Sequence, residues 1–288
     1  MSKYDFEDKR FLVTGGSGFL GTPLVAKLID RKAKVNVLSR NHGKLMELQQ
    51  KFPAIEIISG DVSDRFAVKH AISNVDGVFH LAASKHVTLA EKQVRECVLS
   101  NTIGSLTLLE ESLNRNLEFV MGVSTDKASQ VSGVYGASKF LMERLFQQFE
   151  HLNPNCDYRI VRYGNVLYST GSVLCKWKNL LSEGKGIIAT DLTATRFFWT
   201  VDQAIQLIFD CLENAVDASP YVPEMKAMSI GDVLEAMIQK YAPKNGQLPE
   251  VKIIGLQPGE NLHETILENG KYSNEVERYT VEEIIELV

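Results

Sequence analysis

The stretch KRFLVTGGSGFLG, residues 9–21, decides the fold that we expect of this chain. Residues 9–13 have the apolar character of a short buried strand, and apolar side chains recur at helical spacing after the glycines. A strand that passes through Gly15-x-x-Gly18-x-x-Gly21 into a helix can bind a dinucleotide. Glycine lets the backbone approach a pyrophosphate, and the helix N-terminus attracts its charge.

The alternation of strand and helix continues along the chain. Apolar segments predict strands and helical patterns separate them, with strands at 34–38, 55–59, 75–81, 119–124 and 158–163 and helices at 106–113 and 136–150. This order indicates an α/β fold, a doubly wound parallel sheet with right-handed crossovers. We place a Rossmann domain at residues 1–165. Residues 166–288 are predicted to form a small C-terminal substrate-binding lobe that is interleaved with the last strands of the sheet.

The composition of the 288-residue chain is that of a globular protein, with 44% hydrophobic and 23% charged residues. A net charge of -5 argues against nucleic acid as a partner. No apolar run reaches the roughly 18 residues of a membrane helix, and residues 1–10 lack the apolar core of a signal peptide. The four cysteines are widely spaced, which predicts free thiols in a reducing cytoplasm and no metal site.

The end of the second predicted strand selects the nucleotide. A carboxylate at this place accepts hydrogen bonds from the ribose of NAD and repels a 2′-phosphate. This chain instead has Ser39, Arg40 and Asn41, with Lys44 shortly after. A hydroxyl group and two cations suit a 2′-phosphate, so the sequence favours NADP. The alternative is that Arg40 is a solvated surface residue.

Segments after the third and fourth strands are expected to complete the cofactor site. Asp61 stands where its side chain can reach adenine, and small residues after His80 let the cofactor lie against the sheet. The residues predicted to bind the cofactor are Gly15, Ser17, Gly18, Phe19, Leu20, Gly21, Ser39, Arg40, Asn41, Lys44, Asp61, Val62, Leu81, Ala82, Ala83, Lys85, Asn101, Tyr135 and Lys139.

Tyr135 and Lys139 are four residues apart, so they share one face of the predicted helix. A nearby ammonium group lowers the pKa of a tyrosine from about 10 toward a working value. Such a tyrosine can take a proton from a hydroxyl group while a hydride leaves to a nicotinamide. The Y-x-x-x-K spacing is common by chance. Its place after the fifth strand, with Ser124 and Thr125 at the strand end, indicates catalysis.

Several motifs together make the chain similar to a known family. They are His80-Leu-Ala-Ala-Ser-Lys-His-Val87, Ser124-Thr-Asp-Lys-Ala128, Tyr135-Gly-Ala-Ser-Lys139, Val161-Arg-Tyr-Gly-Asn-Val166 and Gly255-Leu-Gln-Pro-Gly-Glu-Asn-Leu-His-Glu264. The chain resembles an extended short-chain dehydrogenase/reductase acting on nucleotide sugars. More closely, it resembles the soluble UDP-N-acetylglucosamine 4,6-dehydratases of bacterial surface-glycan biosynthesis, particularly the C5-inverting type. The resemblance spans nearly the whole chain, and the Asp126-Lys127 pair is its most specific element.

The chemistry of this family implies a division of labour among the matching residues. Tyr135 would remove the proton of the C4 hydroxyl as its hydride passes to NADP, with Thr125 hydrogen-bonded to the same oxygen. A neutral Lys127 would remove the C5 proton, and a protonated Asp126 would donate a proton to the departing C6 hydroxyl. Lys127 then needs a lowered pKa, which a closed and poorly solvated site can provide. The alternative is a surface ion pair at a strand end.

The same resemblance implies contacts with the substrate, UDP-N-acetylglucosamine. Lys85 and His86 would lie beside the sugar, and Glu260 would accept from the uridine ribose. The residues expected to bind the substrate are Lys85, His86, Asn165, Val173, Thr190, Arg196, Gln257 and Glu260. Members of the family usually carry an arginine and a lysine around the Pro-Gly-Glu sequence, where this chain has Gln257 and Asn261. A homo-oligomer is expected by analogy.

The expected function is that of an NADP-dependent 4,6-dehydratase, a lyase that forms a UDP-4-keto-6-deoxy-hexosamine with or without inversion at C5. Two alternatives stay open. A nucleotide-sugar 4-epimerase or 4-keto reductase needs Tyr135 and Lys139 but has no evident use for Asp126 and Lys127. A non-catalytic NADP-sensing protein would commonly have lost the catalytic tyrosine or lysine, and this chain keeps both.

Overall fold

A computed structural model describes residues 3–243 and 249–288 of the chain. Its strands are β1 (Arg10–Thr14), β2 (Lys34–Ser39), β3 (Glu56–Ser59), β4 (Gly77–His80), β5 (Phe119–Thr125), β6 (Asp157–Tyr163), β7 (Asn165–Val166), β8 (Ile187–Ala189), β9 (Thr195–Trp199), β10 (Pro220–Tyr221), β11 (Ala227–Ser229) and β12 (Val251–Ile253). Seven of the strands in these residues form one sheet in the order β10-β6-β5-β4-β1-β2-β3. All of its neighbouring strands run parallel.

Helices connect the strands in the order that the sequence predicts. They are α1 (Gly21–Asp30), α2 (His42–Lys51), α3 (Arg65–Ala71), α4 (Val87–Lys92), α5 (Val94–Val98), α6 (Gly104–Ser112), α7 (Val134–Leu152), α8 (Val173–Ser182), α9 (Val201–Asn214), α10 (Ile230–Tyr241) and α11 (Val281–Leu287). The predicted doubly wound α/β fold is confirmed.

The central sheet buries both of its faces. In β1, Phe11 and Val13 belong to one hydrophobic cluster with α1 and α9, whereas Leu12 belongs to a second cluster with α3, α6 and α7. Successive side chains of a strand point to opposite faces, so a run of apolar residues fits a strand that is covered on both sides. The helices therefore form two layers that enclose the sheet.

The lobe described for residues 166–243 and 249–288 has small sheets of its own. One has the strand order β11-β9-β7, and another pairs β12 with β8. A separate core packs Trp177, Leu181, Met237 and Ile284 between them and the helices. After α9 the chain returns to the central sheet, where β10 pairs with β6. Residues from β7 onward therefore form these small sheets and also add one strand to the central sheet.

The structure contains two short turns that the sequence does not predict. A π-helical turn at Leu99–Ile103 joins α5 to α6, and a 3₁₀ turn at Asp126–Ala128 follows β5 directly. Neither turn has a hydrophobic period long enough to be recognised in the sequence. In the π-helical turn, Asn101 exchanges hydrogen bonds with the backbone of Ser84. In the 3₁₀ turn, Thr125 accepts from the amide of Lys127.

The glycines of the phosphate loop are required by close backbone contacts. Gly15 has a φ of +71°, and a Cβ atom there would lie 2.9 Å from the amide nitrogen of Ala82. A Cβ atom on Gly21 would lie 2.4 Å from the carbonyl oxygen of Gly15. The first glycine therefore permits the left-handed turn, and the third lets α1 begin against the loop.

Candidate active site

A cavity of about 730 Å³ opens at the carboxyl ends of the central strands. It extends from the phosphate loop after β1 to the segment around β7, and residues after β4, at the end of β5 and at the start of α7 line it. Ligands of open parallel sheets bind at this edge, outside the carboxyl ends of the strands. The cavity is therefore the candidate active site.

Most of the residues predicted to bind the cofactor line this cavity. They are Gly15, Ser17, Gly18, Phe19, Leu20, Gly21, Ser39, Arg40, Asn41, Lys44, Val62, Leu81, Ala82, Ala83, Lys85, Tyr135 and Lys139. Ser17 donates a hydrogen bond to Ser39 over 2.8 Å, so the phosphate loop and the end of β2 are joined at one rim. Asn41 caps α2 by accepting from the amide of Lys44.

Asp61 and Asn101 do not line the cavity in the described part of the chain. Asp61 accepts from the amide and hydroxyl groups of Ser63 at 2.8 Å and lies 3.4 Å from Arg40. Asn101 is fully buried and exchanges two hydrogen bonds with the backbone of Ser84. Asp61 therefore holds Arg40 at the rim, and Asn101 fixes the loop that follows β4.

The five predicted catalytic residues meet in the cavity. Thr125, Asp126 and Lys127 stand where β5 passes into the 3₁₀ turn, and Tyr135 and Lys139 lie on the first turns of α7. The helix approaches the turn closely, because a Cβ atom on Gly136 would lie 2.2 Å from the carbonyl oxygen of Lys127. Contact between backbones thus brings the two motifs together.

The two carboxylate oxygens of Asp126 have different surroundings. Oδ1 accepts from Thr125 Oγ1 at 2.8 Å, from the amide of Lys127 at 2.9 Å and from Lys127 Nζ at 3.2 Å. Oδ2 is buried and has no hydrogen-bond partner within residues 3–243 and 249–288. A buried polar atom without a partner is uncommon and marks a place for a proton or a ligand. Oδ2 is therefore the carboxylate oxygen whose hydrogen-bonding capacity is unused in the described chain.

Lys127 lies between two carboxylates. Its Nζ atom is 3.2 Å from Asp126 and 3.6 Å from Oε1 of Glu264, whose side chain is 2% exposed. Burial lowers the pKa of Lys127, but the charges of Asp126 and Glu264 outweigh it and raise the pKa above its ordinary value. The expectation of a lowered pKa is wrong for the unliganded chain, because sequence reasoning did not include the second carboxylate.

The expected effect of Lys139 on Tyr135 is also wrong. Burial raises the pKa of Tyr135 to about 12, and the cation that opposes this rise is Lys127. Burial lowers the pKa of Lys139 to about 8, against the charge of Glu143. Burial therefore disfavours the charged form of Lys139. In this cavity desolvation is stronger than the attraction that the four-residue spacing predicts.

The predicted substrate residues divide into two groups. Lys85, His86 and Asn165 line the cavity, whereas the others lie outside its lining among the described residues, namely Val173, Thr190, Arg196, Gln257 and Glu260. The backbone amide of Gln257 donates to the side chain of Glu260 over 3.0 Å, so these two residues belong to one local turn. Arg196 donates to the carbonyl oxygens of Thr195 and Leu262.

Comparison with known proteins identifies the family. The polysaccharide biosynthesis protein family matches residues 11–285. This chain belongs to that family. The inverting UDP-N-acetylglucosamine 4,6-dehydratase of Campylobacter jejuni is 32% identical to this chain, over 91% of this chain and 78% of the relative. The resemblance to extended short-chain dehydrogenases/reductases of this kind is thereby confirmed.

Other relatives of this chain carry different descriptions. An uncharacterized membrane protein of Methanocaldococcus jannaschii is 36% identical over 97% of this chain and 84% of the relative. A UDP-glucose 4-epimerase of Rickettsia canadensis is 28% identical over 91% of this chain and 78% of the relative. The solved structure of Pen from Bacillus thuringiensis has a TM-score of 0.92 and 28% identity, and the match covers 99% of this chain and 98% of that one.

Two further observations concern metals and membranes. The parts of the chain that the structure describes contain no group of three or more histidine, cysteine, aspartate or glutamate side chains suited to hold a metal ion. Across the same residues, every helix is too short or too polar to span a bilayer.

Proposed function

We propose that this chain is an NADP-dependent 4,6-dehydratase of a nucleotide sugar, with UDP-N-acetylglucosamine as its substrate and a UDP-4-keto-6-deoxy-hexosamine as its product. The observation that carries the proposal is that Asp126 and Lys127 lie in one cavity with Tyr135 and Lys139. Oxidation of an alcohol needs a single base, whereas elimination of water also needs an acid and a second base. The relatives described as UDP-N-acetylglucosamine 4,6-dehydratases support the same activity.

The cavity fits a dinucleotide in its phosphate loop and at the end of β2. Side chains on Gly15 or Gly21 would fill the space against the backbone, so the loop leaves a cradle at the N-terminus of α1. Ser39, Arg40 and Lys44 line the far rim and offer a hydroxyl group and two cations, which favours the 2′-phosphate of NADP. When bound, NADP would accept a hydride from C4 of the sugar and return it to C6.

The chain's own residues would move the protons. Tyr135, in hydrogen-bond contact with Thr125, would take the proton of the C4 hydroxyl. Lys127 would take the C5 proton once the sugar carries a carbonyl group at C4. Asp126 would deliver a proton from Oδ2, its oxygen without a partner in the described chain, to the hydroxyl group that leaves C6. Asn165 and Lys85 line the cavity beside these residues and would hold the substrate.

Lys127 must lose a proton before it can act as a base. Two carboxylates stabilise its ammonium form in the unliganded chain. A protonated Asp126 would no longer contribute a negative charge, so the pKa of Lys127 would fall toward a working range when the acid is loaded. Transfer of the ammonium proton of Lys127 to Asp126, 3.2 Å away, would therefore supply both the neutral base and the protonated acid of the elimination.

Mass spectrometry of the product tests the proposal directly. The purified protein is incubated with UDP-N-acetylglucosamine and a catalytic amount of NADP⁺, and we expect a nucleotide sugar that has lost one molecule of water. A parallel incubation with NAD⁺ tests the nucleotide preference, and we expect slower turnover. An unchanged substrate mass, or a net reduction that consumes NADPH in equal amount, would contradict dehydration.

A 4-epimerase is the second candidate function, because relatives with this description align over nine tenths of the chain. An epimerase leaves the mass unchanged and inverts C4, which proton NMR of the sugar resolves. It would leave the unpartnered Oδ2 of Asp126 without a role. We therefore place dehydration first, and one incubation analysed by both methods separates the two functions.

We also propose that the protein works as a homo-oligomer in the cytoplasm. Exposed apolar side chains on neighbouring helices support an interface between copies, namely Val94 and Val98 on α5 and Leu141 on α7. The cysteines are free thiols, and three of the four are buried, as in proteins of a reducing compartment. Sedimentation equilibrium of the purified protein measures the number of chains.

A further inference from the structure

Glu264 reaches the cavity region from the C-terminal lobe and joins a buried group of charges. Its Oε1 atom lies 3.6 Å from Lys127 Nζ and 3.7 Å from Arg196 Nε. With Asp126 the group contains two carboxylates and two cations, and all four side chains are at most 15% exposed. Buried charges are tolerated when they are paired in this way.

The backbone around Glu264 is fixed to the catalytic core. Arg162, which is fully buried on β6, donates to the carbonyl oxygen of Ile266 and lies 3.2 Å from Glu268. Ser129, just after the 3₁₀ turn, donates to the carbonyl oxygen of Thr265. The segment 264–268 is therefore attached on both sides of Lys127, to the turn that carries this lysine and to the next strand.

We propose that Glu264 is a positioning residue for Lys127: it holds the amine beside Asp126 and Tyr135, and its negative charge determines how readily Lys127 gives up a proton. This inference rests on the proposed function for the role of Lys127 as the C5 base. The charged groups that face Lys127 are Asp126 from its own turn, Arg196 from β9 and Glu264 from the lobe. The phenol of Tyr135 faces it from α7.

Through the carboxylate of Glu264, the C-terminal lobe contributes to the surroundings of Lys127. Asp126 can attract the ammonium group from one side only, and Arg196 repels it. Glu264 attracts both cations through the same oxygen, so its charge offsets their mutual repulsion and holds the Lys127 amine near Asp126. The C5 base is thus complete only when segment 264–268 is seated on Arg162 and Ser129.

Competitive acetylation measures the proton affinity of Lys127 in the unliganded protein and does not depend on activity. Wild type and Glu264→Gln are treated with a trace of acetic anhydride at pH 9, and peptides are quantified by mass spectrometry relative to the exposed Lys69. Because one carboxylate at this distance shifts a pKa by at least about one unit, we expect about tenfold faster labelling of Lys127 in Glu264→Gln. Equal rates in the two proteins would overturn the proposal.

Two variants separate the charge of Glu264 from its shape. Glu264→Asp keeps the charge, so Lys127 should be labelled at nearly the wild-type rate, and labelling as fast as in Glu264→Gln would refute the electrostatic role. Glu282→Gln changes an exposed carboxylate of α11 that belongs neither to this group of charges nor to segment 264–268, and we expect the wild-type rate. If Glu264→Gln does not fold, Glu264→Asp provides the test alone. Labelling of Lys127 ten times faster in folded Glu264→Asp than in wild type would overturn the proposal.

Kinetics distinguish failure of this inference from failure of the proposed function. If wild type does not release water from UDP-N-acetylglucosamine, dehydration is refuted, while the labelling result still reports on Glu264 and Lys127. If wild type is a dehydratase, Glu264→Gln should move the acid limb of the pH profile for C5 deuterium exchange to lower pH, with oxidation at C4 unchanged. An unmoved limb would show that Glu264 does not act through Lys127.

Discussion

At the scale of single residues, the proposed mechanism gives Asp126 two roles, an ion pair with Lys127 and the delivery of a proton. A single oxygen atom could not perform both at once. Its Oδ1 atom is saturated by Thr125 and by the amide and amine of Lys127. Its Oδ2 atom is buried and without a partner in the described chain, which is costly unless a proton or a ligand occupies the place. In the proposed reaction, the ion pair with Lys127 and the delivery of a proton to the substrate would therefore use different oxygens of the same side chain.

Replacement of Lys127 tests the proposed roles of Lys127 and Asp126. In Lys127→Ala we expect oxidation at C4 to persist, because Tyr135 and the cofactor site remain, and product formation to fall at least about 100-fold because the C5 base is gone. The measurement is incorporation of deuterium from solvent at C5, together with formation of reduced nicotinamide in a single turnover. Lys69→Ala, on the exposed face of α3, should behave as wild type. Continued C5 exchange in Lys127→Ala would refute Lys127 as the base.

At the scale of elements, the site depends on the contact between α7 and the turn after β5. Gly133 precedes the helix and offers no capping side chain, and Glu91 on α4 accepts from the amide of Val134 over 2.7 Å instead. One turn later, Gly136 lies against the carbonyl oxygen of Lys127. A carboxylate near a helix N-terminus also interacts favourably with the helix dipole. These contacts set the position of Tyr135 relative to Lys127.

A methyl group at Gly136 should push the two elements apart. Alanine is favoured over glycine in a helix by up to about 1 kcal/mol, but the added Cβ atom would lie 2.2 Å from the carbonyl oxygen of Lys127. We expect Gly136→Ala to lower the free energy of unfolding by about 1–3 kcal/mol, measured with urea, and to reduce activity strongly.

A second glycine provides the matched control for this helix contact. A Cβ atom on Gly43 of α2 would meet its nearest neighbour, Asn41, at 3.5 Å, an ordinary distance. Gly43→Ala should therefore leave the free energy of unfolding within about 0.5 kcal/mol of wild type or raise it slightly. If both variants are equally stable and active, the close approach of α7 to the turn does not determine the site.

The sequence predicts those elements whose stability is local. Helix α7 is recognisable because Leu145, Phe146 and Phe149 recur on one side, and β1 because three apolar residues precede the glycines. The π-helical turn is not recognisable, because it depends on the bonds of Asn101 to Ser84 across the sheet edge. Glu264 was missed as a partner of Lys127 for the same reason: only the folded lobe brings them together.

At the scale of the whole molecule, polar networks join the layers that hydrophobic packing alone would leave independent. Arg162 is fully buried and binds Glu143 of α7 at 2.6 Å together with the backbone of Ile266 from the lobe. A second network starts at the phosphate loop, where Thr14 receives a hydrogen bond from the amide of Ala82. These two networks therefore connect the central sheet with α7, with the loop after β4 and with the segment around Ile266.

His80 is the centre of this second network, and its proton can be assigned. Ser105 donates its hydroxyl proton to the carbonyl oxygen of Asn101, so it must accept from His80 Nε2, 2.8 Å away. His80 Nδ1 then accepts from Thr14 Oγ1, also at 2.8 Å. Burial, with a smaller effect of Lys139, lowers the pKa of His80 to about 3. The folded protein therefore holds a neutral imidazole with both nitrogens satisfied.

This network predicts a loss of stability in acid. The unfolded chain binds a proton on His80 below about pH 6.5, whereas the folded chain does so only near pH 3, so between these values stability falls as the pH falls. The contribution is about 1.4 kcal/mol for each pH unit below 6.5. Urea unfolding of wild type and His80→Gln at several pH values between 7 and 5 measures it.

Other groups contribute equally to both proteins, so the difference in slope belongs to His80. We expect the variant to be less stable at pH 7 but to lose less stability on acidification, since glutamine does not titrate. Parallel pH dependences for the two proteins would mean that folding does not lower the pKa of His80, and that its Nδ1 atom can carry a proton and donate to Thr14.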